Sequence, residues 1–325
     1  MCASRQRPTR AAGGRGSGRG ARREAHHVGR HKTMKPAPFK YLRPQSLEAV
    51  TAILWEHGSD AQVLAGGQSL VPLLNARRMR PAVVVDINRV GGLDGVEVVA
   101  GALHAGALVR HRAALASRPV AASCPLLADA LAHVGYPETR NRGTLGGSIA
   151  HADPAAELPV VMAALDGEVV LRSARGERSL PVTTFLQGPY ATACDPTELV
   201  TGLRLGTAAS GWAFAFQEVR RRHHDFAVVL VAIGLRIGDD GVIADARFAY
   251  GGAGPTALRA AVAEDLVRGE RPGEELFAEA AASAVVALAP ETDVEASARY
   301  RRHAALVLTK RMLADLAHRA TTEDR

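Results

Sequence analysis

Cysteine is nearly absent. The 325 residues hold three, Cys2, Cys124 and Cys194, odd in number and far apart. They make no CxxC pair and no iron–sulfur or zinc spacing. The chain therefore reads as a protein of a reducing compartment, the cytoplasm, and any metal centre it works with is expected on another chain. Long apolar runs are also missing, and none approaches the roughly 20 residues of a membrane-spanning helix. No nucleophilic triad or paired-carboxylate motif is present, so no catalytic side chain is assigned. What remains is 47% apolar residues, enough for two or three domains with a substantial core.

Net charge is scarce too, once it is located. The formal +7 sits in residues 1–33, where nine Lys or Arg face the single Glu24; the rest of the chain has 31 basic and 32 acidic residues. That tail, including Gly13-Gly14-Arg15-Gly16-Ser17-Gly18-Arg19-Gly20, has almost no large apolar side chains and is expected to be disordered. An Arg/Gly segment could bind RNA or an anionic surface, or act as an Arg-rich transit sequence lacking an amphipathic face. The simplest expectation is that translation starts at Met34. No nucleic-acid partner is expected of the remainder.

Against these absences stand two glycine-rich turns, Ala65-Gly66-Gly67-Gln68-Ser69 and Thr144-Leu145-Gly146-Gly147-Ser148. Each pairs adjacent glycines with a hydroxyl residue. Adjacent glycines admit close backbone approach and positive φ, and consecutive N–H groups in such a turn make a concave anion site. Two turns of one design suggest two jaws on a single diphosphate; ordinary strand-ending turns are the plainer reading. Arg140 and Arg142 precede the second turn, where basic groups would strengthen such a site. Asp153 before Pro154 is placed to cap the next helix.

Ser46 heads a helical apolar stripe (Leu47, Val50, Ile53, Leu54) that Gly58 ends. A short strand over 62–65 runs into the first turn, a helix spans 70–79 until Pro81 stops it, and Val83–Ile87 is a buried strand. This order is α/β. Gly-punctuated strands follow from residue 91, then helices at 125–134 and 155–165 and a strand over Glu168–Arg172. From Gly211 onward 212–219, 226–237 and 242–250 are strand-like, with Asp239-Asp240-Gly241 as a hairpin turn. The stretch beyond Leu258 is mostly helical. These shifts predict a tail at 1–33, an α/β subdomain at 34–90, a second subdomain at 91–208 and a C-terminal domain at 209–325.

Other motifs are weaker. Neither turn has the Gly-Lys-Ser/Thr of a Walker loop. Gly252-Ala253-Gly254-Pro255-Thr256-Ala257 fits GxGxxA, but no strand with an acidic end follows; it reads as a structural turn with Pro255 opening a helix. His223 and His224 would point to opposite faces of a strand and cannot share one ligand, so a solvated loop is the better reading. Arg220 to Arg222 is taken as a solvated or subunit-contact patch.

Ala-Gly-Gly-Gln-Ser-Leu, then Arg-Asn-Arg-Gly-Thr-Leu-Gly-Gly-Ser and Asp-Pro-Ala-Ala-Glu-Leu-Pro, resembles the FAD-binding medium subunit of molybdenum hydroxylases. That group includes the flavoprotein subunit of aerobic carbon monoxide dehydrogenase and the FAD domain of xanthine dehydrogenase. The resemblance runs from about Lys35 to the C-terminal helices and extends to Phe185–Thr192 and Phe216–Asp225. It implies an α+β, vanillyl-alcohol-oxidase-like (PCMH-type) FAD fold of two subdomains, plus a C-terminal α+β domain with a small antiparallel sheet. It implies that Val63, Leu64, Ala65, Gly66, Gly67, Gln68, Ser69 and Leu70 wrap the FAD pyrophosphate. Thr144, Leu145, Gly146, Gly147 and Ser148 would form the second jaw, the Thr144 and Ser148 hydroxyls assisting. Glu157 falls where relatives usually carry Asp, with one extra methylene. Tyr190 resembles an aromatic near the isoalloxazine and Leu199 an apolar residue near the flavin, though either could be simple core. Gln217 stands where several relatives have Lys. The implied activity is that of an oxidoreductase subunit passing electrons from a partner's [2Fe–2S] clusters to FAD and on to an acceptor. A large molybdopterin subunit with the molybdenum cofactor and a small [2Fe–2S] subunit would complete a heterotrimer, paired into a dimer of heterotrimers. A self-contained FAD oxidase with its own substrate site is the alternative.

Overall fold

The computed structural model describes residues 35–207 and 211–322, so the expected Arg/Gly tail lies outside the described residues. Strand β1 (Lys40–Leu42) leads to α1 (Leu47–His57), β2 (Ala61–Leu64), α2 (Leu70–Asn75) and β3 (Val83–Asp86). Ser46 caps α1 as expected, its hydroxyl accepting from the Ala49 amide at 3.2 Å. The three strands form a parallel sheet in the order β1-β3-β2. Val50 and Leu54 of α1 bury against Val83, Val85 and Ile87. In the register Leu64 lies beside Asp86, so β2 and β3 deliver their carboxyl ends to the same edge, where parallel sheets present ligand sites. Helix α2 stops short of the expected Met79, because Arg77 adopts φ +55°.

The middle of the chain builds a five-stranded antiparallel sheet. It comprises β4 (Val96–Val99), β5 (Ala102–Gly106), then after six helices β6 (Glu168–Ser173), β7 (Gly176–Pro181) and finally β10 (Leu199–Gly206), ordered β4-β5-β10-β6-β7. The helices are α3 (His111–Leu115), α4 (Arg118–Ser123), α5 (Pro125–His133), α6 (Pro137–Arg142), α7 (Leu145–His151) and α8 (Glu157–Ala164). The last is buried along Leu158–Ala164, as a helix apolar all round must be, and it packs on α5 and on the C-terminal sheet. A single-turn α9 (Val182–Phe185) precedes the small hairpin β8 (Leu186–Gly188) and β9 (Ala191–Thr192).

The C-terminal part is an antiparallel sheet of β11 (Trp212–Arg220), β12 (Ala227–Ile237), β13 (Ile243–Gly251) and β14 (Leu258–Arg259), backed by α10 (Ala261–Val267), α11 (Glu274–Val286) and α12 (Ala298–Thr322). The expected hairpin turn is present: Gly241 has φ +74° and the Asp240 carboxylate accepts from the Val242 amide at 3.0 Å. The GxGxxA segment departs from expectation. Pro255 opens no helix; β14 follows it and α10 starts only at Ala261. Gly252 instead donates to the Pro154 carbonyl at 2.8 Å. Arg301, buried in α12, donates to the carbonyls of Val228 and Gly252 and makes a two-pronged contact, 2.8 Å to each oxygen, with Asp293.

Candidate functional site

At the carboxyl end of β2 the chain enters the first glycine turn. Gly66 lies flush on the backbone just before the second motif: a Cβ there would sit 2.4 Å from the Arg142 carbonyl oxygen and 2.9 Å from the Gly143 Cα. Gly67 takes φ +76°, which a side-chain-bearing residue adopts only with strain. The backbone N–H groups of Gly66, Gly67, Gln68 and Ser69 have no acceptor among the described residues. Of the four residues only Gly66 is buried, so their amides are open to water or a ligand, and four in succession make an anion cradle.

The second motif is built differently. It is the capped first turn of α7 rather than a second open loop. The buried Thr144 hydroxyl oxygen accepts from the Gly147 amide at 3.1 Å. The Leu145 amide donates to Val109, that of Gly146 to Ala107 and that of Ser148 to Thr144, each at 3.0 Å. The two jaws are thus unlike: the first offers free amides, and the second is a self-satisfied wall. Gly146 is needed for packing, since a Cβ there would meet the Ala107 Cβ at 2.4 Å.

A polar network missed by the motif reading ties the two together. Asp86, at the end of β3, accepts from the Tyr41 hydroxyl and from the Asn88 side-chain amide at 2.6 Å. Although burial works against it, these hydrogen bonds hold the Asp86 carboxyl below its usual range. Asn88 also donates to the Ala65 carbonyl at 2.9 Å, and Arg110 bonds the Asn88 side-chain oxygen at 2.5 Å and the Arg142 carbonyl. Around this network lies a cavity of about 520 Å³, walled by Tyr41, Asp86, Asn88, Arg142 and the stretch from Leu64 to Gln68. A larger cavity of about 630 Å³, between α11 and α12, is mainly apolar and far from either motif in sequence. The smaller one carries the polar chemistry.

Other candidates stand outside that wall. Val63 is half-buried against an apolar cluster in which Leu199 is buried. Ser69 precedes α2 without a side-chain capping bond, and Leu70 begins that helix. Arg140 turns away from the glycines to bond the carbonyls of Val134 and Gly135 at 2.8 and 2.7 Å, leaving Arg142 as the basic residue at the cavity. Asp153 does not cap α8; it accepts from the Ala155 amide at 2.9 Å, and Ala156 holds the cap position. Tyr190 is exposed, has φ +58°, and packs its ring 5.1 Å from that of His151. Glu157 opens α8. Burial pushes its carboxyl up to about 8, a backbone hydrogen bond and the Arg220 charge opposing the rise and the charges of Glu218 and Asp153 adding to it.

In the basic run 220–222, Arg221 and Arg222 are exposed as expected and only Arg220 departs from that reading. Arg220 points inward onto the buried Glu218 carboxylate and lies 2.7 Å from the His133 Nδ1. His223 and His224 do occupy a loop, their rings stacked at 3.9 Å. Among the described residues no group of three side chains is arranged to hold a metal ion, and no helix is long and apolar enough to cross a membrane.

Residues 37–207 match the family described as FAD binding domain in molybdopterin dehydrogenase, and residues 214–316 match the CO dehydrogenase flavoprotein C-terminal domain. The chain is 40% identical to the 6-hydroxypseudooxynicotine dehydrogenase complex subunit alpha of Paenarthrobacter nicotinovorans, over 88% of this chain and 97% of that protein. It is 32% identical to the carbon monoxide dehydrogenase medium chain of Hydrogenophaga pseudoflava, over 86% and 97%. Among solved structures, quinoline 2-oxidoreductase from Pseudomonas putida 86 superposes with a TM-score of 0.84 at 37% identity, covering 88% of this chain and 99% of that one. The open amide cradle thus belongs to an FAD-binding chain: the protein is a member of the family of FAD-binding medium subunits of molybdenum hydroxylases, a family of oxidoreductases.

Proposed function

We propose that this chain is the electron-transfer flavoprotein subunit of a heteromeric molybdenum hydroxylase. The observation that carries the reading is the run of four unpartnered amides, Gly66 to Ser69, the first three belonging to residues that line a cavity, with Gly66 admitting no Cβ. This donor set suits a diphosphate: backbone N–H groups accept no proton and give charge-assisted hydrogen bonds to phosphate oxygens. Bound FAD supplies one- and two-electron redox chemistry. The chain's own residues hold and shield it. The Gly66–Ser69 amides take the diphosphate, Arg142 adds positive charge at the rim, and Thr144 to Ser148 form the facing wall. Glu157 offers its carboxyl group to a cofactor hydroxyl. Tyr190 and Leu199 are proposed nearer the ring system.

In this reading electrons arrive from the [2Fe–2S] clusters of a small partner subunit, having left a substrate oxidised on a large molybdopterin subunit, and depart to an external acceptor. The assembly is a dimer of heterotrimers in the cytoplasm. The fold is of the vanillyl-alcohol-oxidase-like, PCMH type, with domains at 34–90, 91–208 and 209–325. Titration of the purified chain with FAD, read by flavin absorbance and fluorescence quenching, tests it. Stoichiometric binding is expected, and a chain that stays colourless after FAD reconstitution overturns the proposal.

A further inference from the structure

We propose that Arg110 is a positioning residue that sets the separation of the two jaws before any cofactor arrives. The inference rests on the FAD reading for its ligand but not for its geometry. By its backbone Arg110 belongs to the second jaw. It bridges to Thr144, and its neighbours Val109 and His111 exchange hydrogen bonds with Leu145 and Gly143 at 3.0 Å. By its side chain it belongs to both. One guanidinium nitrogen holds the Arg142 carbonyl, the oxygen against which Gly66 is packed. The other holds the Asn88 side-chain oxygen at 2.5 Å, while Asn88 holds the Ala65 carbonyl at 2.9 Å. Asp86 fixes Asn88 from behind, accepting from both its backbone and side-chain amides at 2.9 and 2.6 Å.

The path from Thr144 through Arg110 and Asn88 to Ala65 is therefore a continuous strut ending one residue before the open amides. Only a forked, planar donor can hold two acceptors in this way; a lysine ammonium offers charge without the fork. Pre-setting the jaws lets binding energy go into ligand contacts rather than into ordering the chain.

The test uses the full chain and four variants, Arg110→Met, Arg110→Lys, Asn88→Ala and the double variant Arg110→Met/Asn88→Ala. FAD affinity is measured by fluorescence titration. Hydrogen exchange of the peptides spanning 84–90 and 137–148 is followed without cofactor, with 227–237 as an internal reference for an intact fold. The strut predicts at least a tenfold loss of FAD affinity in Arg110→Met, an equal loss in Arg110→Lys, and a double variant no weaker than the worse single one. It also predicts faster exchange in both peptides, one holding Asp86 and Asn88 and the other the second jaw, and no change in the reference. Wild-type affinity in Arg110→Lys would show that charge alone matters and would overturn the strut. Losses that multiply in the double variant would do the same. If the parent chain binds no FAD, the cofactor reading fails by itself. The strut is then decided by exchange: faster exchange of the 84–90 and 137–148 peptides in Arg110→Met upholds it, and unchanged exchange refutes it.

Discussion

Replacing Gly66 with alanine adds one carbon where the structure has no room. The new Cβ would stand 2.4 Å from the Arg142 carbonyl oxygen, 2.9 Å from the Gly143 Cα and 3.1 Å from the Arg142 carbonyl carbon. All three are backbone atoms, so no side chain can rotate away. Relief to an ordinary contact of about 3.4 Å requires the two segments to part by about 1 Å. In the apoprotein this overpacking costs about 1–3 kcal/mol, a fall of a few degrees in Tm. At the cradle the same displacement takes the amides out of register with one another. Losing one hydrogen bond to a charged phosphate oxygen costs roughly 1.5–3 kcal/mol, or about 10- to 100-fold in Kd. Fluorescence titration with FAD, alongside thermal unfolding of the apoprotein, separates the two effects. A Gly66→Ala variant that binds FAD within twofold of the parent would refute the close-approach argument.

Gly146→Ala is expected to behave in the opposite way. Its Cβ would strike Ala107 in the wall rather than the open amides, so the apoprotein should lose about 1–3 kcal/mol in urea unfolding, with a smaller proportional effect on FAD affinity than at Gly66. Glu157 gives a pH signature. Its carboxyl titrates at about 8 when folded against an ordinary 4.5, burial being the main cause. The native state therefore binds the extra proton between those values, and this contribution to stability is full below about pH 4.5 and lost as pH rises through about 8. Urea unfolding of Glu157→Gln at about pH 5 and pH 9 should show a smaller decline than the parent; equal declines would remove Glu157 as its source. Glu218→Ala leaves the Arg220 guanidinium buried without its carboxylate and should cost about 3–5 kcal/mol, read as a shift in the urea midpoint; a loss under about 1 kcal/mol would count against a buried ion pair.

The cradle was legible in sequence because glycine pairs and hydroxyl residues are local signals, and Ser46, Gly58 and the Asp240 turn were legible for the same reason. The helical form of the second jaw was not. Thr144-Leu145-Gly146-Gly147-Ser148 looks like a loop because two glycines weaken a helix, yet the Thr144 cap and the carbonyls of Ala107 and Val109 hold it helical, and those partners lie over thirty residues away. Arg110 and Asn88 escaped notice because neither stands in a motif; what makes them matter is the meeting of β3, the segment after β5 and the loop after α6. The inward turn of Arg220 is a further long-range effect, set by Glu218 and by the helix carrying His133. A useful sequence signal for such residues is a polar side chain just past a buried β-branched strand, as Asp86 and Asn88 follow Val83-Val84-Val85.

The grip of Arg301 on the Val228 and Gly252 carbonyls bears on the order in which the protein is completed. Gly252 in turn holds the Pro154 carbonyl, three residues before Glu157. During synthesis the glycine cradle leaves the ribosome early, whereas the clasp on the Pro154 loop closes only after residue 301 has emerged. The loop that leads into Glu157 is therefore restrained from the far end of the sequence, and its last tether waits for nearly the whole chain.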